Sequence, residues 1–422
     1  MTTNTQAHYR IGLIAKRVSK EDLFTIKELS LLMYSLQNVT AESTAIKEFL
    51  TLITFKLNTL FTQEINSASF IASPEDISKM LFGMQRFSSE EPVVMQLLAS
   101  VVQFLRPDDR THWSGQHASV ALYGLQAMSP ETEEVRAVIH AMHSSALPNS
   151  SGSEGLSESV IPLNSRVVAV LVNSVQNMHE RHKETKLLIG ILTKLVQSCD
   201  DRFNQNEIAQ ALFGLRKMQL SEHTGSLELR VLLDELTKKL EQCRGNLSME
   251  SFRQCVLGMD GMSSQSRHVR SLIHVLADKL KLCGQEMGEE DLRVCVHALR
   301  NMDSVFSGVR YFVEMLSGKI RTSPVDSLSA ETLAQACVGL GRMGSDCSQV
   351  RKLLNVLTDK VRSSSSMRLR NRHIHDVFGN LGALKSDYVE VKSFVGAVGE
   401  QFRRSDASKR PPKYLETTAI SS

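Results

Sequence analysis

The chain has 422 residues, 42% of them apolar, with a single Trp and a formal net charge of +3. That content can bury a continuous core of Leu, Val, Ile and Met, and so modest a charge excludes a uniformly basic chain. No span of 18 apolar residues occurs, which excludes a transmembrane helix.

Residues 1–21 read as an N-terminal leader. Arg10, Lys16, Arg17 and Lys20 stand among several threonines with no acid before Glu21. This leans toward an organellar transit segment, with a plain unstructured leader as the alternative. Residues 22–143 then carry one phrase three times, as Ser35-Leu36-Gln37-Asn38-Val39, Gly83-Met84-Gln85-Arg86-Phe87 and Gly124-Leu125-Gln126-Ala127-Met128. Residues 144–163 form a Ser/Gly-rich insertion that cannot pack a core. Residues 164–403 resume the phrase at Val175, Leu215, Met259, Leu299, Leu340 and Leu381, the last four steps being 44, 40, 41 and 41 residues. Residues 404–422 read as a basic disordered tail, with Arg404, Lys409, Arg410 and Lys413 and the adjoining Arg403 as its basic residues. Residues 361–422 hold 11 Lys and Arg against 6 Asp and Glu, so the basic excess is C-terminal. A solvated tail, a nucleic-acid contact and an import signal are all open there.

A period of about 40–41 residues belongs to stacked arrays. Each unit predicts two helices, because apolar positions recur at three and four both in Leu333 to Met343 and in a second phrase such as Val269 to Leu280. Ser73-Pro74-Glu75-Asp76 and Asn204-x-x-Glu207 are helix starts. The expected fold is all-α, a superhelical α-solenoid of about nine helix-pair repeats. Residues 35, 83, 124, 174, 214, 258, 298, 339 and 380 are small or polar, five of them Gly. A mid-helix Gly costs about 1 kcal/mol relative to Ala, so the column implies close helix approach.

Two charged columns follow the second helix. Arg136, Arg230, Arg270, Arg310 and Arg351, then Lys392, share one position, and Lys239, Lys279, Lys319 and Lys360 lie nine residues beyond the last four arginines. Nine residues leave about half a turn, so the columns flank the apolar stripe. A bare arginine ladder repels itself. Its counter-charge is either loop carboxylate (Asp303, Asp346, Asp387, Glu134, Glu228), helped by neighbouring loop carbonyls, or a bound phosphodiester backbone. After each first-helix anchor come Gln37, Gln85, Gln126, Gln176, Arg216, Asp260, Arg300, Gly341 and Gly382, followed by Asn38, Arg86, Ala127, Asn177, Lys217, Gly261, Asn301, Arg342 and Ala383. Such side chains can read base edges; plain solvent exposure also places them there.

The cysteines at 243, 255, 283 and 295 are spaced by the repeat and read as buried thiols. His373-x-His375 and His179-x-x-His182 lack partner pairs for a metal. No phosphate loop, nucleophile elbow or paired-acid motif is present, so neither enzyme activity nor a cofactor is expected.

The phrase Leu-Ala-Gln-Ala-Leu-Phe-Gly-Leu-x-x-Met, as in Ile208 to Met218 or Leu333 to Met343, resembles the first helix of octotricopeptide and heptatricopeptide repeats. That resemblance implies a helix-pair solenoid binding organellar RNA and acting in its maturation or translation, in a mitochondrion or plastid. The RNA contacts would fall on Arg136, Arg230, Arg270, Arg310, Arg351, Gln85, Gln126, Gln176, Arg216, Arg300 and Arg342. The alternative is similar to HEAT repeats, in which a second helix opening Val-Arg after an Asp-containing loop, as at Val350-Arg351 after Asp346, belongs to a protein-binding scaffold in the cytoplasm or nucleus.

Overall fold

The computed structural model describes residues 18, 24–64, 72–105, 113, 115–129, 132–146, 164–179, 181–325, 328–364, 367–369, 371–380, 384–385 and 387–405. These form 18 α-helices in nine consecutive pairs, an all-α solenoid with no strand among the described residues. The pairs are α1 (Ile26–Tyr34) with α2 (Thr44–Glu64), α3 (Pro74–Gly83) with α4 (Pro92–Val102), α5 (Gly115–Gly124) with α6 (Glu133–Ala146), and α7 (Ser165–Asn173) with α8 (Lys183–Ser198). They continue as α9 (Gln205–Phe213) with α10 (Leu227–Glu241), α11 (Met249–Leu257) with α12 (Arg267–Leu282), α13 (Glu289–His297) with α14 (Ser307–Thr322), α15 (Ala330–Leu340) with α16 (Ser348–Ser363), and α17 (Asn371–Asn380) with α18 (Val389–Ser405).

The chain divides into two compact bodies, Met1–Asp201 and Arg202–Ser422. Within the first, α1, α3, α5 and α7 pack in succession and α2, α4, α6 and α8 do the same. Within the second, α9 to α17 alternate in this way with α10 to α18. Each body is therefore two helical layers, and its core lies between them.

Local signals set the helix ends. Ser73 Oγ accepts the Asp76 N–H at 3.1 Å ahead of Pro74, and Asn204 closes a reciprocal capping box with Glu207. The second helices bury one stripe, as in α12, where Leu272, Ile273, Leu276 and Leu280 are buried while Ser271, His274 and Asp278 are exposed.

The small-residue column does what its cost implied. A Cβ built on Gly83 would lie 2.0 Å from Met33 O, on Gly124 2.0 Å from Leu81 O, on Gly258 2.2 Å from Leu212 O, and on Gly339 1.9 Å from Val296 O. In each case the carbonyl belongs to the residue two before the same column in the preceding first helix. Only hydrogen fits there, so successive first helices pack backbone to backbone.

A second register device was not apparent from the sequence. Asp303 N–H donates to Ser264 Oγ at 2.8 Å, Gly344 N–H to Ser304 Oγ at 2.9 Å, and Lys385 N–H to Ser345 Oγ at 2.8 Å. Ser129 N–H donates to Ser89 Oγ at 3.1 Å in the same manner. Each serine stands two residues after the apolar residue that closes the phrase (Phe87, Met262, Met302, Met343), and that spacing was the available signal. These bonds satisfy loop N–H groups that helix and sheet ladders leave open.

Several expectations fall at the edges of this description. Residues 1–17 and 19–23 lie outside the described residues, as do 147–163, 406–422 and the Leu381 anchor. Helix α6 continues through Ala146, three residues into the expected insertion. Arg403 and Arg404 occupy the last turn of α18 instead of an unstructured tail, where their charge complements the negative helix end.

Candidate nucleic-acid interface

The arginine column turns inward. Arg270 donates to Ser264 O and Gln265 O, both at 2.9 Å; Arg310 to Ser304 O at 3.3 Å and Val305 O at 2.7 Å; Arg351 to Ser345 O at 2.9 Å and Asp346 O at 3.0 Å. Arg230 does the same with Ser221 O, Glu222 O and Thr224 O, at 3.4, 3.0 and 3.4 Å. The guanidinium planes are braced from the next repeat, Arg270 over Phe306 at 4.4 Å and Arg351 over Tyr388 at 4.7 Å. Arg351 Nε also lies 3.7 Å from Glu390 Oε1.

Arg230, Arg270, Arg310 and Arg351 thus each hold the loop ahead of their own helix through its carbonyls, and none of the loop carboxylates considered from sequence is their hydrogen-bond partner. The carboxylates are used elsewhere: Asp303 Oδ1 accepts the Val305 N–H, and Asp346 accepts from Lys385 Nζ at 2.7 Å and Tyr388 Oη at 2.8 Å. The physical reason is reach. A carbonyl five or six residues back lies beside the guanidinium without ordering a second flexible side chain. Arg136 differs in that its Nε is buried without a hydrogen bond, and its charge helps hold Glu184 of α8 below the usual carboxylate range, after a backbone hydrogen bond as the larger cause.

The lysine column is also internal. Lys279 Nζ donates to Glu241 O at 3.3 Å and Lys360 Nζ to Ser323 O at 3.0 Å, while Lys319 Nζ bonds Cys283 O and Gln285 O. Each ammonium caps the C-terminal end of the preceding second helix, where unsatisfied carbonyls favour a cation. Lys239 lies 5.9 Å from the Phe203 ring centroid.

Several described members of the columns after the first-helix anchors touch a column member of the next repeat. In the first body, Gln85 Nε2 donates to Gln37 O at 2.5 Å, Asn177 Nδ2 to Gln126 O at 2.7 Å, and Gln176 Nε2 to Gln126 Oε1 at 3.4 Å. In the second, Arg300 donates to Asp260 O at 2.9 Å and pairs with Asp260 Oδ1 at 2.9 Å, while Asn301 Nδ2 reaches Asp260 O at 3.5 Å. The result in each body is a polar ridge, tied between the repeats of Gln37 and Gln85, of Gln126 and Gln176, and of Asp260 and Arg300.

The two ridges differ chemically. That of the first body holds six amides, Gln37, Asn38, Gln85, Gln126, Gln176 and Asn177, with one cation, Arg86. That of the second holds Arg216, Lys217, Arg300 and Arg342 against a single carboxylate, Asp260. Arg86, Lys217 and Arg342 are exposed and make no hydrogen bond or ion pair with a described residue. Arg216 stacks 4.5 Å from the Phe213 ring centroid, and burial lowers its pKa.

Beside the first ridge stand three parallel rings. Tyr34 stacks on Phe82 with centroids 5.4 Å apart, and Phe82 on Tyr123 at 5.6 Å. Each ring sits one residue before the small-residue column, so close helix approach sets the stack. Beside the second ridge, α11 and α13 leave a cleft of about 350 Å³ lined by Leu257, Asp260, Glu290, Arg293, Val294 and His297 among others.

Among the described residues no three His, Cys, Asp or Glu side chains come together as metal ligands. Cys243, Cys255, Cys283 and Cys295 are buried free thiols, and burial pushes the Cys255 and Cys295 pKa values up. No helix among the described residues is long and apolar enough to cross a membrane. Neither a protein-family model nor a curated protein matches the chain.

Proposed function

We propose that this protein is a non-enzymatic solenoid that binds single-stranded RNA along the first-helix ridge of its second body. The observation that carries this is the composition of that ridge: four cations to one carboxylate, with two neighbouring repeats tied together by the Arg300–Asp260 and Asn301–Asp260 contacts. Guanidinium and ammonium groups neutralise phosphates, and side chains arrayed one repeat apart suit a ligand that is itself repetitive. This reading sets aside the arginine and lysine columns of the second helices, since Arg230, Arg270, Arg310 and Arg351 and Lys279, Lys319 and Lys360 bond backbone carbonyls of the solenoid itself. Arg216, Arg300 and Arg342 remain from the sequence-derived contacts in this body; Gln85, Gln126 and Gln176 line the amide ridge of the first.

The test is filter retention of single-stranded RNA across a salt titration. Binding weakens as salt rises, and Lys217→Ala with Arg342→Ala weakens it further without unfolding the chain. Absence of binding at low salt overturns the proposal.

A protein-binding scaffold is the second reading, favoured by the stacked Tyr34, Phe82 and Tyr123 with Leu31 half exposed near them. Protein that binds no RNA at low salt yet co-purifies with a stoichiometric protein partner supports this reading.

A further inference from the structure

The cleft between α11 and α13 has apolar walls and a charged rim. Leu257 is half-buried and Val294 buried, one from each helix. Asp260 gives Oδ1 to Arg300 at 2.9 Å, and its Oδ2 bonds no described residue. Arg293 spends Nε and one terminal nitrogen on Glu290, at 2.9 and 2.5 Å, and its other terminal nitrogen bonds no described residue. Asp260 and Arg293, each with a hydrogen-bonding atom left over, therefore both line one cleft with apolar walls, whose volume of about 350 Å³ lies in the range of small-ligand sites.

We propose that this cleft takes a guanine base of the bound RNA, an inference that rests on the RNA binding proposed above. Guanine alone among the four bases sets two N–H donors beside a carbonyl acceptor on its pairing edge. Asp260 accepts from one of N1–H and N2–H through Oδ2 and from the other through the second lone pair of Oδ1, while Arg293 donates to O6, and the ring lies between Leu257 and Val294. Adenine offers one donor next to a ring lone pair that would face the carboxylate. Uracil flanks its single N–H with two acceptors. Asp260 itself belongs to the ridge, directly after Met259, so the base enters from the line the strand follows.

The experiment is fluorescence anisotropy with short oligouridines carrying one central guanosine, adenosine or inosine. The guanosine strand binds about tenfold tighter than the adenosine strand, with inosine, which lacks the N2 amino group, in between. Asp260→Asn replaces the acceptor pair by one donor and one acceptor, so preference moves toward adenosine, read as the ratio of guanosine to adenosine affinity on the same variant. Arg293→Lys is the second variant; it lowers guanosine affinity and leaves adenosine affinity unchanged. Equal binding of the guanosine and adenosine strands, or a guanosine preference that survives Asp260→Asn, overturns the guanine site and leaves RNA binding intact. Failure of every strand to bind at low salt overturns both.

Discussion

Replacing Gly339 by Ala tests the packing that aligns the ridge. The new Cβ would stand 1.9 Å from Val296 O, against the 3.4 Å at which ordinary contact begins. Because the obstacle is backbone, it cannot rotate aside, and α13 and α15 must separate by roughly 1 Å or more, on the order of a tenth of a normal interhelical distance. Overpacking of this kind costs about 3 kcal/mol, and the better helix propensity of Ala returns about 1 kcal/mol, leaving a net loss of about 2 kcal/mol. Gly396→Ala is the matched control. It sits in α18, exposed, with no atom within 4 Å of its built Cβ, so the same substitution stabilises by about 0.5–1 kcal/mol. Urea unfolding followed by circular dichroism gives both values. A Gly339→Ala variant as stable as the parent refutes the close-packing argument.

Arg270→Ala combined with Arg310→Ala removes four charge-assisted bonds to loop carbonyls. Both side chains are half-buried, so the expected loss is about 1–2 kcal/mol for each, visible in thermal melts, with RNA affinity unchanged. Ser304→Ala leaves the Gly344 N–H without its acceptor and costs about 1–3 kcal/mol by the same assay. His297 has a lowered pKa, chiefly from burial and then from the Arg300 charge, so below its unfolded value of about 6.5 the unfolded chain binds a proton that the native chain resists. Stability therefore falls as pH drops through that value toward the lower folded pKa. In His297→Gln the fall between pH 7 and 5.5 is smaller, which a melting series across that range measures.

The repeat, the helix pairs and the buried stripes were legible because each depends on spacing: a small or polar residue returning every 40 to 50 residues, mostly at 40 or 41, leaves a mark that no neighbour can hide. The role of Arg270, Arg310 and Arg351 was not legible. Their periodicity is the same whether they face phosphate, carboxylate or a loop carbonyl, and only the backbone path of Ser264-Gln265, Ser304-Val305 and Ser345-Asp346 decides. The serine column was hidden for the opposite reason. Serines after a helix look like ordinary loop composition until Asp303, Gly344 and Lys385 are seen to donate to them. Arg342 and Lys217 stood in the sequence as two of eighteen column positions, and their exposure without a described partner, shared by Arg86 in the first body, sets them apart from Arg300.

The salt dependence of RNA binding, compared between the parent chain and Lys217→Ala with Arg342→Ala, tests the central claim most directly. Each phosphate neutralised on a single strand contributes about 0.7 to the slope of log affinity against log salt, so the double variant is predicted to lose about 1.4 from that slope while melting at the parent temperature. An unchanged slope with intact folding, or a parent chain that binds no RNA at low salt, contradicts the account.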